Sequence, residues 1–151
     1  MVTKKKKLNI IIFGSGSTVG SYLAERFYSE KHNLLLCGRN KIKHEKLKKK
    51  MIENQSQTIN FQRFDITNNN KILSFLKKNK KFIEKADLII NSTGEQGEVN
   101  NFYKINLNKF KKTFDVNFFS NVFLLKSLNK VIKCKKKLLI LVFSGGGVTS
   151  R

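Results

Sequence analysis

Apolar residues along this chain fall into short runs separated by helical stripes. Residues 8–13 are continuously apolar except for Asn9, the pattern of a strand covered on both faces. Residues 14–20 interrupt that run, and Val19, Leu23, Ala24 and Phe27 then recur at helical spacing, predicting a helix that ends near Glu30 or Lys31. Leu34 to Cys37 reads as a second buried strand closed by Gly38, Arg39 and Asn40. A lysine-rich helix over residues 41–53 would turn Ile42, Leu47, Met51 and Ile52 inward. A third strand over residues 58–64 leads into Asp65, Ile66 and Thr67. Asn68 can cap the next helix, whose inward residues would be Ile72, Leu73, Phe75 and Leu76, with Phe82 beyond. Residues 86–91 form a fourth strand, and residues 92–101, with Gly94 and Gly97, the longest loop. A long helix over residues 106–132 carries Phe110, Phe114, Phe118, Val122, Leu125 and Leu128 along one side. Residues 138–143 make a fifth strand, which Ser144 and three glycines end.

Five strands alternating with four helices imply an α/β fold, a doubly wound parallel sheet of the Rossmann type with helical crossovers. A chain of 151 residues suits one such domain, residues 8–151, behind a basic polar segment, residues 1–7. In sheets of this kind ligands gather at the carboxyl ends of the strands. The glycine turn, Arg39, Asp65, Asn91 and Ser144 all fall there.

The net charge of +21 raises the question of a nucleic-acid partner. Only Arg26, Arg39, Arg63 and Arg151 of the 31 basic residues are arginine, and lysine and asparagine crowd every polar segment. That distribution fits solvated faces in a lysine-rich composition, and the aromatic residues keep to helical stripes and strands rather than mixing with lysine clusters. A nucleic-acid role therefore ranks last. No run of apolar residues is long enough to cross a membrane, and the start of the chain lacks a cleavage pattern. Cys37 and Cys134 stand far apart without metal-ligand spacing, so the expectation is a cytoplasmic protein without a metal.

A pyrophosphate needs backbone N–H groups aimed at it, no side chains in the way, and the positive end of a helix behind it. Gly14 and Gly16 allow the tight turn and close approach, Gly20 allows the helix to pack on the first strand, and Ser15, Ser17 and Thr18 offer hydroxyls. A glycine turn can also join strand to helix with no ligand; here its place after the first buried strand favours a dinucleotide. Beyond the second strand an acidic residue would grip the ribose of NAD, whereas a basic one would receive the extra phosphate of NADP. The residue there is Arg39, with Lys41 near it, so NADP is favoured and NAD is the alternative.

Taken together these residues resemble the short-chain dehydrogenase/reductase family over the whole chain. Residues 14–20 look like the family's Gly-x-x-x-Gly-x-Gly turn with Thr18 in place of the middle glycine. Asp65 and Ile66 are similar to the adenine-contacting point after the third strand, and Asn91, Ser92, Thr93 and Gly94 to the Asn-Asn-Ala-Gly segment bordering the cofactor. The resemblance implies cofactor contacts from residues 14–20, including Val19, and from Arg39, Asp65, Ile66, Asn91 and Gly94. It implies catalytic roles for Asn117, which interrupts the long helix and helps hold a proton-relay water, and for Ser144, or its neighbour Gly145, at the substrate carbonyl. The complete enzyme would move a hydride between nicotinamide and a small carbonyl or alcohol, and copies would associate through the long fourth helix. The family's tyrosine and following lysine have no counterpart: Tyr22, Tyr28 and Tyr103 lack a lysine four residues on. The expectation is thus the amino-terminal part of an oxidoreductase, truncated after the fifth strand and inactive alone. The alternative is a non-catalytic nucleotide-binding or regulatory protein.

Overall fold

The computed structural model describes residues 6–51, 57–63, 65–132 and 139–142; Ile52, Phe64, Cys134, Ser144 and Gly145 lie outside these described residues. Five parallel strands, β1 (Asn9–Phe13), β2 (Asn33–Gly38), β3 (Ile59–Arg63), β4 (Leu88–Asn91) and β5 (Leu139–Val142), lie in the order β3-β2-β1-β4-β5. Ile11 stands between Leu35 of β2 and Ile89 of β4. The chain runs outward from β1 to β3 and then returns to the other side of β1 at β4. That reversal opens a crevice above the carboxyl ends of β1 and β4, the usual ligand position in such sheets.

The β1 side chains alternate between two cores. Ile10 and Ile12 join Leu34, Leu36, Ile90, Ala24, Leu47 and Met51 on the face covered by α1 (Thr18–Ser29) and α2 (Lys41–Lys50). Ile11 and Phe13 join Leu35, Ile89, Ile72, Phe75, Leu76 and Leu124 on the opposite face, covered by α3 (Asn69–Lys78) and the long carboxyl-terminal helix. Both faces of the strand are thus dry, which is why its sequence is a run and not an alternation. Truncating Ile11 to alanine in such a site costs about 2–5 kcal/mol.

Side-chain caps start the helices. Ser17, Asn40 and Asn68 each accept a hydrogen bond from a first-turn amide of α1, α2 and α3. The helix expected to reach Phe82 divides at Asn79 into α3 and a short α4 (Lys80–Ile83), and a single 3-10 turn (Phe102–Lys104) occurs where none was expected from the sequence. On α2 the inward stripe is His44, Leu47 and Met51, while Ile42 is 69% exposed. Because Asn40 fixes the first turn at Lys41, Ile42 falls on the outer side. On α3, Leu73 is likewise exposed, since Ile72, Phe75 and Leu76 already fill the inner face.

The long helix comprises α5 (Leu107–Phe114), a wide π-helical turn (Asp115–Phe119) and α6 (Ser120–Val131). Its expected inward stripe is mostly outward: Phe110, Phe114, Phe118 and Val122 are exposed, Leu125 lies at the margin, and Leu128 alone of the six is buried. The inner face is made by Val116, Ser120, Asn121, Leu124, Ser127 and Leu128. Small and polar residues there let the helix approach α3, where Leu124 and Leu128 join the core.

Candidate functional site

A cleft of about 270 Å³ opens above the carboxyl ends of β1, β2 and β4. Gly14, Gly16 and Ser17 line it from the first turn, Gly38, Arg39, Asn40 and Lys43 from the second, and Asp65, Ile66 and Thr67 from the third. Ser92, Thr93 and Gly94, beyond β4, and Val116, from the wide turn, close the remaining side.

Two of the three turn glycines are sterically required. Gly14 has φ +76°, and a Cβ there would sit 2.7 Å from the Ser92 carbonyl carbon and the Thr93 nitrogen. A Cβ on Gly20 would collide with the Gly14 carbonyl oxygen and stand 2.6 Å from Ser92 Oγ. Gly16 differs: its Cβ would meet only the Lys43 side-chain stem at 3.3 Å. The turn is thus pressed against the start of the β4 loop at Gly14 and Gly20 and open to the cleft at Gly16.

Ser92 binds the two segments together. Its hydroxyl lies 2.9 Å from the Phe13 carbonyl and 3.1 Å from that of Gly14, and accepts from Ser17 Oγ at 3.2 Å. Ser17 in turn accepts from the Gly20 amide at 2.9 Å, so its hydroxyl is occupied as a helix cap. Helix α1 begins at Thr18, the position that departs from the family's glycine pattern. The amides of Thr18 and Val19 precede the first intrahelical donor and face no backbone acceptor among the described residues. The Val19 side chain is exposed and does not line the cleft.

Ser15 departs from expectation. It is fully buried, its amide donates to the Cys37 carbonyl at 3.0 Å, and its hydroxyl donates to the same carbonyl at 3.2 Å. Neither group is offered to the cleft. Behind Ser15 lies His44, whose Nε2 is 3.0 Å from Ser15 Oγ. Burial lowers the His44 pKa, with the Glu45 carboxylate pulling the other way. Burial also pushes the Cys37 thiol far above its ordinary value, so it is held protonated and unreactive.

At the cleft mouth the Arg39 guanidinium faces the Asp65 carboxylate. Partial burial raises the Asp65 carboxyl, but hydrogen bonds from the Thr67 amide and hydroxyl, with Arg39 and Lys71 nearby, outweigh it and leave it below its ordinary value. Asp65 is therefore ionised at neutral pH and can accept hydrogen bonds at the cleft edge.

Past β4 a chain of amides links the loop to the helix. Asn91 Oδ1 accepts from the Thr93 amide at 3.0 Å and from Thr93 Oγ1 at 2.6 Å, while Asn91 Nδ2 donates to Asn121 Oδ1. Asn121 Nδ2 donates to the Asn117 carbonyl at 2.6 Å. Asn117, inside the wide turn, accepts from the Glu95 amide at 2.8 Å and donates to the Glu95 carbonyl at 2.7 Å. Its side chain thereby clamps the loop after β4, which is how a polar amide is satisfied in this place.

Of the residues expected at the site, Gly14, Gly16, Ser17, Arg39, Asp65, Ile66 and Gly94 line the cleft; Ser15, Thr18, Val19, Gly20, Asn91 and Asn117 do not, and Ser144 lies outside the described residues. Sequence reasoning passed over Lys43, His44 and Asn121. The spacing of His44, Leu47 and Met51, three and four residues apart, is an inward stripe that could have revealed His44. Among the described residues no group of three side chains is placed to hold a metal ion, and no helix is long and apolar enough to cross a membrane.

The family model for short chain dehydrogenase matches residues 8–150. The chain belongs to the short-chain dehydrogenase family. Solved members share its fold at low identity. A short chain dehydrogenase from Salmonella enterica serovar Typhi superposes with a TM-score of 0.79 over 96% of this chain at 16% identity. The bulky-bulky ketone specific alcohol dehydrogenase of Comamonas testosteroni gives 0.68 over 83% at 23% identity. ElxO, solved as a variant with NADPH bound, gives 0.70 over 83% at 19% identity. This chain spans 61%, 50% and 50% of the lengths of those three proteins. No curated protein sequence matches it. Members of the family bind NAD(P).

Proposed function

We propose that this short-chain dehydrogenase chain is the cofactor-binding part of an NAD(P)-dependent oxidoreductase and prefers NADP. The observation that carries the reading is the Gly14–Gly20 turn: closed against Ser92 at two glycines, open at Gly16, and backed by the unpartnered amides at the start of α1. An anionic diphosphate would meet there N–H groups and a helix's positive end. Arg39 receives a phosphate on the adenosine ribose, Asp65 and Ile66 border the adenine, and Gly94 borders the far side, with Asn91 buried beneath it and holding Thr93.

When bound, the nicotinamide supplies or accepts the hydride exchanged with a carbonyl or alcohol carbon. In that reaction Asn117 holds the loop after β4 in place, and Ser144 is the candidate for hydrogen-bonding the substrate oxygen. The exposed Phe114 and Phe118 mark the face through which two copies would associate. The compartment that suits this chemistry is the cytoplasm.

Titration of the 151-residue chain with NADPH, followed by nicotinamide fluorescence and by melting temperature, tests the reading. Saturable binding that is tighter for NADPH than NADH, with no dehydrogenase turnover by the chain alone, is expected. Absence of binding to both nucleotides in a cooperatively folded chain overturns it.

A further inference from the structure

His44 belongs to none of the roles above, yet it is buried beneath the phosphate turn at the point where three segments meet. Its Nε2 lies 3.0 Å from Ser15 Oγ. A Cβ on Gly38 would stand 2.9 Å from the same Nε2 and 3.8 Å from the Gly16 amide nitrogen, so the imidazole and the turn both close in on Gly38. The ring edge also packs against Phe61 of β3, with centroids 5.7 Å apart. The single hydroxyl proton of Ser15 is directed to the Cys37 carbonyl, which leaves the oxygen as acceptor toward His44. With the Ser15 proton on the Cys37 carbonyl, the Nε2 contact is completed by the tautomer that carries its proton on Nε2.

We infer that His44 is a positioning residue for the phosphate turn: its Nε2–H holds Ser15 against the Cys37 carbonyl, and this fixes the Gly16 amide toward the cleft. The inference rests on the cofactor reading above and adds the residue that orders its anion-binding amides. A turn containing three glycines in seven residues has wide backbone freedom, and a donor fixed from outside it removes that freedom before the ligand arrives. Helix α2 supplies the donor and, through Asn40 at its cap, also carries Arg39 just ahead of it, so one helix sets both ends of the anion-binding rim.

Binding of ADP by the full chain, with amide hydrogen exchange at Ser15 and Gly16, tests this in His44→Leu, His44→Gln, Ser15→Ala and the Ser15→Ala/His44→Leu double variant. Leucine fills the site without a donor, whereas the glutamine amide can present its nitrogen where Nε2 stands. His44→Leu is expected to weaken ADP about tenfold, the effect of roughly one lost hydrogen bond, and to speed exchange at both amides. His44→Gln restores both measures to near the parent values. The double variant binds no worse than His44→Leu alone, because both changes break one link. In nitrogen-resolved NMR the His44 ring shows the Nε2–H tautomer. A folded His44→Leu chain with unchanged affinity and exchange overturns the inference, as does a glutamine variant as impaired as the leucine one. If the parent chain fails to bind ADP, the cofactor reading falls, and the exchange rates still decide whether His44 orders the turn.

Discussion

The carboxylate of Asp65 stands 3.7 Å from the guanidinium of Arg39 across the mouth of the cleft. Both groups are partly solvated, so the pair is worth only about 0.2–1 kcal/mol and opens readily. In the free protein it spans the place where the adenosine would enter. On binding NADP, Arg39 would exchange this partner for the ribose phosphate and release Asp65 to accept from the adenine. Arg39→Ala should therefore weaken NADP about tenfold through loss of a charge-assisted contact and leave NAD almost unchanged. Paired titrations of the two nucleotides measure the ratio, and an equal loss for both contradicts the assignment of Arg39.

The three turn glycines should respond differently to alanine. Gly20→Ala drives a methyl group into the Gly14 carbonyl and Ser92, and should cost about 2–4 kcal/mol of stability. Gly14→Ala adds a strained positive φ to a clash of similar kind. Gly16→Ala asks only that the Lys43 stem move a few tenths of an ångström, so the fold should survive while diphosphate approach is obstructed. Urea denaturation and ADP titration of the three variants separate the two effects.

Asn117→Ala removes both hydrogen bonds to the Glu95 backbone. A loss of about 1–3 kcal/mol is expected, with faster amide exchange at Glu95. Asn117→Asp keeps the acceptor and loses the donor, so its exchange rate at Glu95 should fall between those of the parent and the alanine variant.

Acid should destabilise the chain partly through His44. Its folded pKa lies below the ordinary value near 6.5 because burial disfavours the charged ring. As pH falls below about 6.5 the unfolded chain takes up this proton before the folded one does, so stability declines until the folded pKa is also passed. Comparing melting temperatures at pH 7.5 and 5.5, on the order of a few degrees of the parent's loss should vanish in His44→Gln. Asp65 acts in the same direction at lower pH: its depressed carboxyl stabilises above the ordinary carboxylate range, and that contribution disappears as pH drops through its folded value.

Much of this architecture can be read directly from residue order. Strand β1 and the glycine turn are legible because a double-sided core demands an unbroken apolar run, and because Gly14 and Gly20 are the only residue type that fits. Helix faces are harder. Ile42 outweighs His44 on any scale of hydrophobicity, yet the Asn40 cap fixes the phase and turns the histidine inward, where Ser15 satisfies it. On the long helix Phe114 and Phe118 look like core residues, but close approach to α3 selects Ser120, Leu124 and Ser127 instead. That residues following the strands line a cleft is legible from their position; the direction in which Ser15 points is not, because a hydroxyl binds the nearest carbonyl as readily as a ligand.

The wide turn at Asp115–Phe119 holds one residue more than an ordinary helical turn would. Deleting a single residue from it would give an uninterrupted α-helix in which α5 and α6 keep their outward and inward sides, so the rod could survive the loss. The grip of Asn117 on Glu95 would be lost. The extra residue is thus a graft, separable from the scaffold that carries it, whose removal would unfasten the loop and leave the helix sound.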